Sequence, residues 1–253
     1  MQASLTEENY LKAIYILSGT AEGKLSNLSI ADRLSINPAT VTEMLRKLAE
    51  KKLIDYTRIE GARLTVEGTR LALMVVRKHR LWETFLVEKL QFGWDEVHEV
   101  AEQLEHIHSD KLLEQLDAFL GHPRFDPHGD PIPDTNGKMP ETPSVPLSEG
   151  CAGTTYRLVG VSNHSPAFLR YLDKTGLSID DVIEIKDIQE FDQSMQVVVG
   201  GEGTTMFSHD VAKCLLVLAV EGSQAADEQL LTLQPIARST KSVCQLKQDT
   251  SRQ

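Results

Sequence analysis

The chain is 253 residues long, 41% hydrophobic and 25% charged, with a net charge of −11 at pH 7, a composition that fits one to three globular domains and excludes a collagen-like or wholly disordered chain. No apolar run reaches the ~20 residues of a membrane-spanning helix, and the start, Met1-Gln-Ala-Ser-Leu-Thr-Glu, lacks the layout of a signal peptide. The acidic total argues against indiscriminate nucleic-acid binding, but it is unevenly spread: residues 1–70 carry ten Lys/Arg against nine Asp/Glu, and residues 71–140 seven against thirteen, with six of the eight histidines.

Residues 1–75 read as short helices followed by a hairpin. Thr6, Glu7 and Glu8 suit a helix start, and Tyr10, Leu11, Ile14, Tyr15 and Leu17 recur at helical spacing. Leu28, Ile30, Ala31 and Leu34 predict a second helix. Asn37-Pro38 restarts the chain with a cap residue and a proline at the first helical position, and Val41, Met44, Leu45 and Leu48 give the third helix an apolar face. Leu53–Tyr56 and Arg63–Val66 alternate as strands around Gly61. Together these make a winged helix-turn-helix; a small helical bundle with an incidental hairpin is the alternative.

Two long amphipathic helices follow, about Glu67–Gln91 and Trp94–Leu120. Residues 121–150 hold seven of the ten prolines and read as a linker. From about Thr154 to Glu221, alternating runs at Tyr156–Val161, Val182–Ile185 and Gln196–Val199 predict a small β-barrel. The polar tail, 222–253, is expected to be disordered. Three widely spaced cysteines, Cys151, Cys214 and Cys244, form no evident disulfide framework and favour a reducing cytoplasm.

The chemistry concentrates in two helical stretches. On a helix, His98, Glu102, Glu105 and His106 fall within an arc of roughly 100°, beside an apolar face of Val97, Val100, Ala101, Leu104 and Ile107. His79 and Glu83 share a face of the preceding helix at i, i+4. If these helices pack antiparallel, imidazoles and carboxylates converge in a set suited to a divalent transition metal. The alternative is a solvated acidic face in which the histidines only form ion pairs.

The runs Arg77-Lys-His79-Arg-Leu-Trp-Glu83, Val97-His98, Glu105-His106-Ile-His-Ser109-Asp110, Asn37-Pro-Ala-Thr-Val-Thr42 and Phe125-Asp-Pro-His-Gly-Asp-Pro-Ile-Pro133, in this order and spacing, resemble the diphtheria-toxin-repressor family of iron- and manganese-dependent regulators. The resemblance spans residues 4 to about 140, and 154–221 more loosely. It implies a mainly α fold with β: an N-terminal winged helix-turn-helix (1–75), a helical metal-binding and dimerisation domain (76–140), a linker (141–153) and a C-terminal small SH3-like (FeoA-like) β-barrel (154–221). It also implies two metal sites. His79, Glu83 and His98 match an ancillary site, near which His164 of the barrel could add a ligand; a loop histidine facing solvent is the other reading of His164. Glu102, Glu105 and His106, with Asn9 from the first helix, match a primary site. Glu102 stands where iron-type members carry Cys, and a carboxylate is harder than a thiol, so Mn(II) is favoured, with Fe(II) next. Lys12 stands where manganese-type members are acidic, so their two-metal arrangement does not carry over intact.

By this reading the chain is a cytoplasmic, non-enzymatic repressor that binds double-stranded operator DNA as a homodimer and controls metal homeostasis genes. Asn37, Pro38, Ala39, Thr40, Thr42 and Glu43 open the recognition helix. No Arg is placed for a bidentate guanine contact, so small groups would meet thymine methyls and specificity would rest partly on shape. Arg46, Lys47, Arg58 and Arg63 are the candidate phosphate contacts. Leu112, Leu113, Leu116 and Phe119 would supply the dimer interface. Glu105→Ala is expected to abolish metal-stimulated DNA binding with the fold intact. The rivals are a winged-helix regulator sensing an organic ligand and a metal-dependent hydrolase; against the latter, no HExxH, nucleophile elbow or phosphate loop is present.

Overall fold

The computed structural model describes residues 3–20, 25–141 and 143–220; the expected disordered tail lies outside them. The chain divides into two compact units. One comprises Met1–Phe92, Val97–Asp126 and Pro131–Pro140, the other Gly93–Glu96, Pro127–Asp130 and the described residues from Glu141 onward.

In the first unit, helix α1 (Leu5–Thr20) starts on a reciprocal cap. The Ser4 amide donates to Glu7 Oε2 at 3.0 Å and the Glu7 amide to Ser4 Oγ at 3.4 Å. Helix α2 (Asn27–Leu34) is capped by Ser26 and ends on left-handed Ser35. Helix α3 (Pro38–Glu50) begins as read from sequence, with the Asn37 side chain accepting from the Ala39 amide at 2.9 Å. Leu11, Ile14, Ile30, Val41, Leu45 and Leu48 are buried in one core. The wing is β1 (Ile54–Thr57) paired antiparallel with β2 (Gly61–Leu64). The second strand therefore stops two residues short of the predicted Val66. Thr65 caps α4 (Val66–Leu90) instead, accepting from the Gly68 amide at 3.1 Å.

The long helix expected over Trp94–Leu120 is two helices, α5 (Val97–Leu104) and α6 (Asp110–Phe119). The Ile107 amide reaches back only to the Leu104 carbonyl, at 3.1 Å. Ser109 then starts a new helix by accepting from the Leu112 amide at 3.3 Å. Glu105 and His106 consequently lie in the turn after α5 rather than on a continuous helical face. Part of the proline segment is fastened to α4: Arg77 donates to the Pro133 carbonyl at 2.7 Å and Arg80 to that of Pro131. Arg77 also pairs with Asp117 of α6 at 2.9 Å.

The second unit is an SH3-like antiparallel sheet of β3 (Val145–Pro146), β4 (Thr155–Val161), β5 (Val182–Ile188), β6 (Met195–Val199), β7 (Glu202–Phe207) and β8 (Leu215–Ala219), ordered β3-β8-β4-β5-β6-β7. Irregularities at Leu158/Gly160, Ile185/Asp187 and Val198/Val199 curl the sheet around Leu158, Ile183, Val197, Phe207 and Leu215. The sheet starts at Val145, inside the stretch read as a linker. Helices α7 (Pro166–Thr175) and α8 (His209–Cys214) were not anticipated. Residues 127–130 lie on β4: Val161 donates to the His128 carbonyl at 3.0 Å, and a Cβ on Gly129 (φ +86°) would meet the Val159 carbonyl at 2.1 Å. Cys214 is a free cysteine.

Candidate metal centre

Helix α4 presents His79 and Glu83 one turn apart on its buried side, and α5 brings His98 across from them. His79 Nε2 lies 2.9 Å from Glu83 Oε1 and 3.1 Å from His98 Nδ1, and His98 Nδ1 lies 3.1 Å from Glu83 Oε1. Those three atoms form a near-equilateral triangle. Hydrogen bonding cannot satisfy all three sides, because the two ring nitrogens supply at most one proton each. With Glu83 ionised, one edge always sets two lone pairs or two N–H groups against each other. A cation facing all three lone pairs removes the conflict. In an octahedral shell with bonds of about 2.1 Å, adjacent donors sit about 3.0 Å apart, and a tetrahedral shell spreads them to about 3.4 Å. The observed spacing fits one face of an octahedron, and the donor set of two imidazoles and one carboxylate is the one expected of a divalent transition metal.

The flanking carboxylates orient these imidazoles. Glu105 Oε2 is 2.5 Å from His79 Nδ1, which turns His79 Nε2 into the triangle. Glu102 Oε1 is 3.3 Å from His98 Nε2 and does the same for His98 Nδ1. With its ring hydrogen-bonded to Glu102 and to Glu83, His98 is pushed up to about 9. Its hydrogen bond to His98, backed by the Lys12 charge, takes Glu102 down to about 2 against the cost of partial burial. For Glu105, burial opposes ionisation, but the His79 hydrogen bond and the Lys12 ammonium hold it below the usual carboxylate range.

Among the described residues, Glu102, Glu105, His106 and Asn9 do not meet as a second ligand cluster. Lys12, on α1, places its ammonium 2.7 Å from Glu105 Oε2, 3.2 Å from His79 Nδ1 and 3.8 Å from Glu102 Oε1. His106 turns Nδ1 to Glu8 Oε2 at 2.7 Å and leaves Nε2 3.7 Å from Glu105 Oε1. Glu8 in turn lies 3.9 Å from Lys78. Asn9 is half-buried on α1 and enters none of these contacts. His164 belongs to the other unit, where its Nε2 is 3.5 Å from Asp130 Oδ2 and its ring stands edge-on to buried His128. Glu8 was read only as part of a helix start. The available signal was its i, i+4 spacing to Lys12 on the helix face that also carries Leu11.

On the helix-turn-helix, Asn37, Pro38, Ala39, Thr40, Glu43, Arg46 and Lys47 of α3 are exposed together, as are Arg58 and Arg63 of the wing. Thr42 departs from this group: it is half-buried and accepts from Asn27 at 2.8 Å, whose amide also reaches the Tyr56 hydroxyl at 3.1 Å. Of the residues expected at a dimer interface, Leu112 and Phe119 are exposed, while Leu116 is buried against Leu81 and Ile132.

Three family models match the chain: the iron dependent repressor N-terminal DNA-binding domain over residues 3–62, the iron dependent repressor metal-binding and dimerisation domain over 65–134, and the FeoA domain over 145–218. The iron-dependent repressor IdeR of Mycobacterium tuberculosis is 35% identical over 128 residues, a match covering 51% of this chain and 55% of that relative. The chain thus aligns with about half the length of such curated relatives. A solved manganese-dependent transcriptional repressor in complex with manganese is 37% identical, with a TM-score of 0.76 over 85% of this chain and 100% of that one. The structure of ScaR with bound Zn2+ is 33% identical, with a TM-score of 0.69 over 85% of this chain and 99% of that one.

Proposed function

Because the chain belongs to the diphtheria-toxin-repressor family of iron- and manganese-dependent regulators, we propose that it is a transcriptional repressor that binds operator DNA as a homodimer when Mn(II) or Fe(II) is held between its helices, and that it controls metal homeostasis genes. The observation that carries this reading is the triangle of His79 Nε2, Glu83 Oε1 and His98 Nδ1. Its three atoms are closer than their protons can reconcile. His79, Glu83 and His98 would hold the ion, which supplies a fixed double positive charge that all three side chains can face at once. Mn(II) is the favoured metal, since no thiol stands among these donors and the carboxylates are hard.

The ligand helices are wired to the DNA-reading head. Through Lys12, His79 and Glu105 are tied to α1, the helix that packs into the core with α2 and α3. A ligand that prefers one arrangement of α4 and α5 therefore biases the position of α1, and with it the head. Two heads spaced by a dimer would then read half-sites through α3 and the wing, with the interface formed by α6 and its exposed Leu112 and Phe119. We read 1–75 as the head, 76–140 as the metal-binding and dimerisation part, 141–153 as connection and 154–221 as the barrel, all within the cytoplasm. No helix among the described residues is long and apolar enough to cross a membrane, and no enzymatic activity is assigned.

The test is selection of bound fragments from a genomic DNA pool with Mn(II), with Fe(II) under anaerobic conditions, and with chelator. Enrichment of an inverted repeat only with metal is expected. Equal enrichment in chelator would leave a DNA reader without a metal switch and would favour a sensor of another ligand.

A further inference from the structure

We propose that Lys12 is a built-in cation occupying the place of a second metal, so that each chain takes one divalent ion, at His79, Glu83 and His98. This rests on the reading of the chain as metal-activated.

The geometry comes first. Glu102 and Glu105 are already committed. Each accepts from the imidazole of one triangle ligand, and Glu105 Oε2 also accepts from Lys12 Nζ at 2.7 Å. A second ion held by Glu105 would have to displace an ammonium whose side chain is only 9% exposed, and would loosen the hydrogen bond that turns His79 Nε2 inward. Of the other residues matched to the primary site, His106 directs its Nδ1 to Glu8 and Asn9 enters none of these contacts.

Charge balance points the same way. The carboxylates of Glu8, Glu83, Glu102 and Glu105 face two ammonium groups, Lys12 and Lys78, while Arg77 and Arg80 are paired with Asp117 and Asp126. With the imidazoles neutral, as ligands of a metal must be, two negative charges are left over, which one divalent ion closes. A second ion would leave two uncompensated positive charges among groups that are mostly buried, and such charges are strongly disfavoured. Lys12 thus acts as a positioning residue: it holds Glu105 against His79 and sets the number of ions the centre accepts.

The experiment is equilibrium dialysis of the full chain against Mn(II), with bound metal counted by elemental analysis and its spin state followed by electron paramagnetic resonance. Wild type should bind one Mn(II) per chain with the spectrum of an isolated ion. Lys12→Glu, which reverses the charge, should bind two and show spin–spin broadening. His98→Ala should lose the wild-type ion. Two ions on the wild-type chain, or one on both wild type and Lys12→Glu, would overturn the assignment to Lys12 while leaving a metal-binding chain. No Mn(II) on wild type at any concentration would overturn the metal reading itself. Should Lys12→Glu fail to fold, His98→Ala decides: an ion retained there would place the metal on the Glu105–His106 side and refute the proposal.

Discussion

Replacing Glu105 by Gln removes the closest counter-charge of Lys12 while keeping the shape of the side chain. The Glu105 side chain is 1% exposed and that of Lys12 9%, so water cannot replace the lost carboxylate. Removing one member of a buried ion pair costs about 3–5 kcal/mol, mostly as the penalty of the charge left behind. Here part of that penalty is relieved, because Glu102, itself half-exposed, remains 3.8 Å from the ammonium. The expected loss is therefore about 2–3 kcal/mol, and the sequence-based expectation that a change at Glu105 leaves the fold untouched should fail. Urea unfolding in chelator, followed by Trp82 fluorescence in a Trp94→Phe background, reports on the first unit alone, since Trp94 belongs to the second. Adding Lys12→Met should recover at least half of the loss, because it removes the orphaned charge. A Glu105→Gln chain within about 0.5 kcal/mol of wild type, or a double variant no more stable than the single one, would refute the account of Lys12 and Glu105 as an interdependent buried pair.

Three further outcomes follow from separate parts of the molecule. Burial works against the Glu7 carboxylate, but the Lys51 hydrogen bond and the Ser4 amide hold it below its ordinary value of 4.5. Its contribution is thus present above about pH 4.5 and lost as the pH falls through the depressed value; Glu7→Gln should cost about 1–2 kcal/mol at pH 7 and progressively less in acid, and a pH-independent cost in urea melts would contradict this. Gly129→Ala should destabilise the second unit by more than about 1 kcal/mol, since it combines φ +86° with a carbonyl 2.1 Å from the new Cβ; an unchanged melting temperature would refute the close approach. Arg46→Ala, on the exposed face of α3, should weaken operator binding uniformly across sequences and reduce the salt slope by about 1 per head, whereas an unchanged slope would remove Arg46 from the phosphate contacts.

What could be read from the sequence was whatever depends on neighbours in the chain. Asn37-Pro38 caps α3 through contacts two residues away, and the i, i+4 pair His79 and Glu83 needs only a helix to share a face. The errors arise where a local pattern has two outcomes that only tertiary packing separates. Thr65-Val66 extends the strand alternation, yet Thr65 is equally a helix cap, and the α4 start close to Leu53 makes it one. The periodicity from Val97 to Phe119 continues through Ile107, but Ser109 is a better cap than a helix-interior residue, and the helix breaks there. That break decides the site. It takes Glu105 and His106 off the helical stripe and turns them toward α1, where Lys12 and Glu8 are nearly a hundred residues away in the chain. No spacing rule in one sequence pairs a lysine at 12 with a glutamate at 105. The triangle of His79, Glu83 and His98 was legible because its members come from two helices with readable faces. The resemblance marked Lys12 beside it as a departure, but not its burial, because a buried lysine looks like a surface one until the carboxylate that buries it, here Glu105, is known.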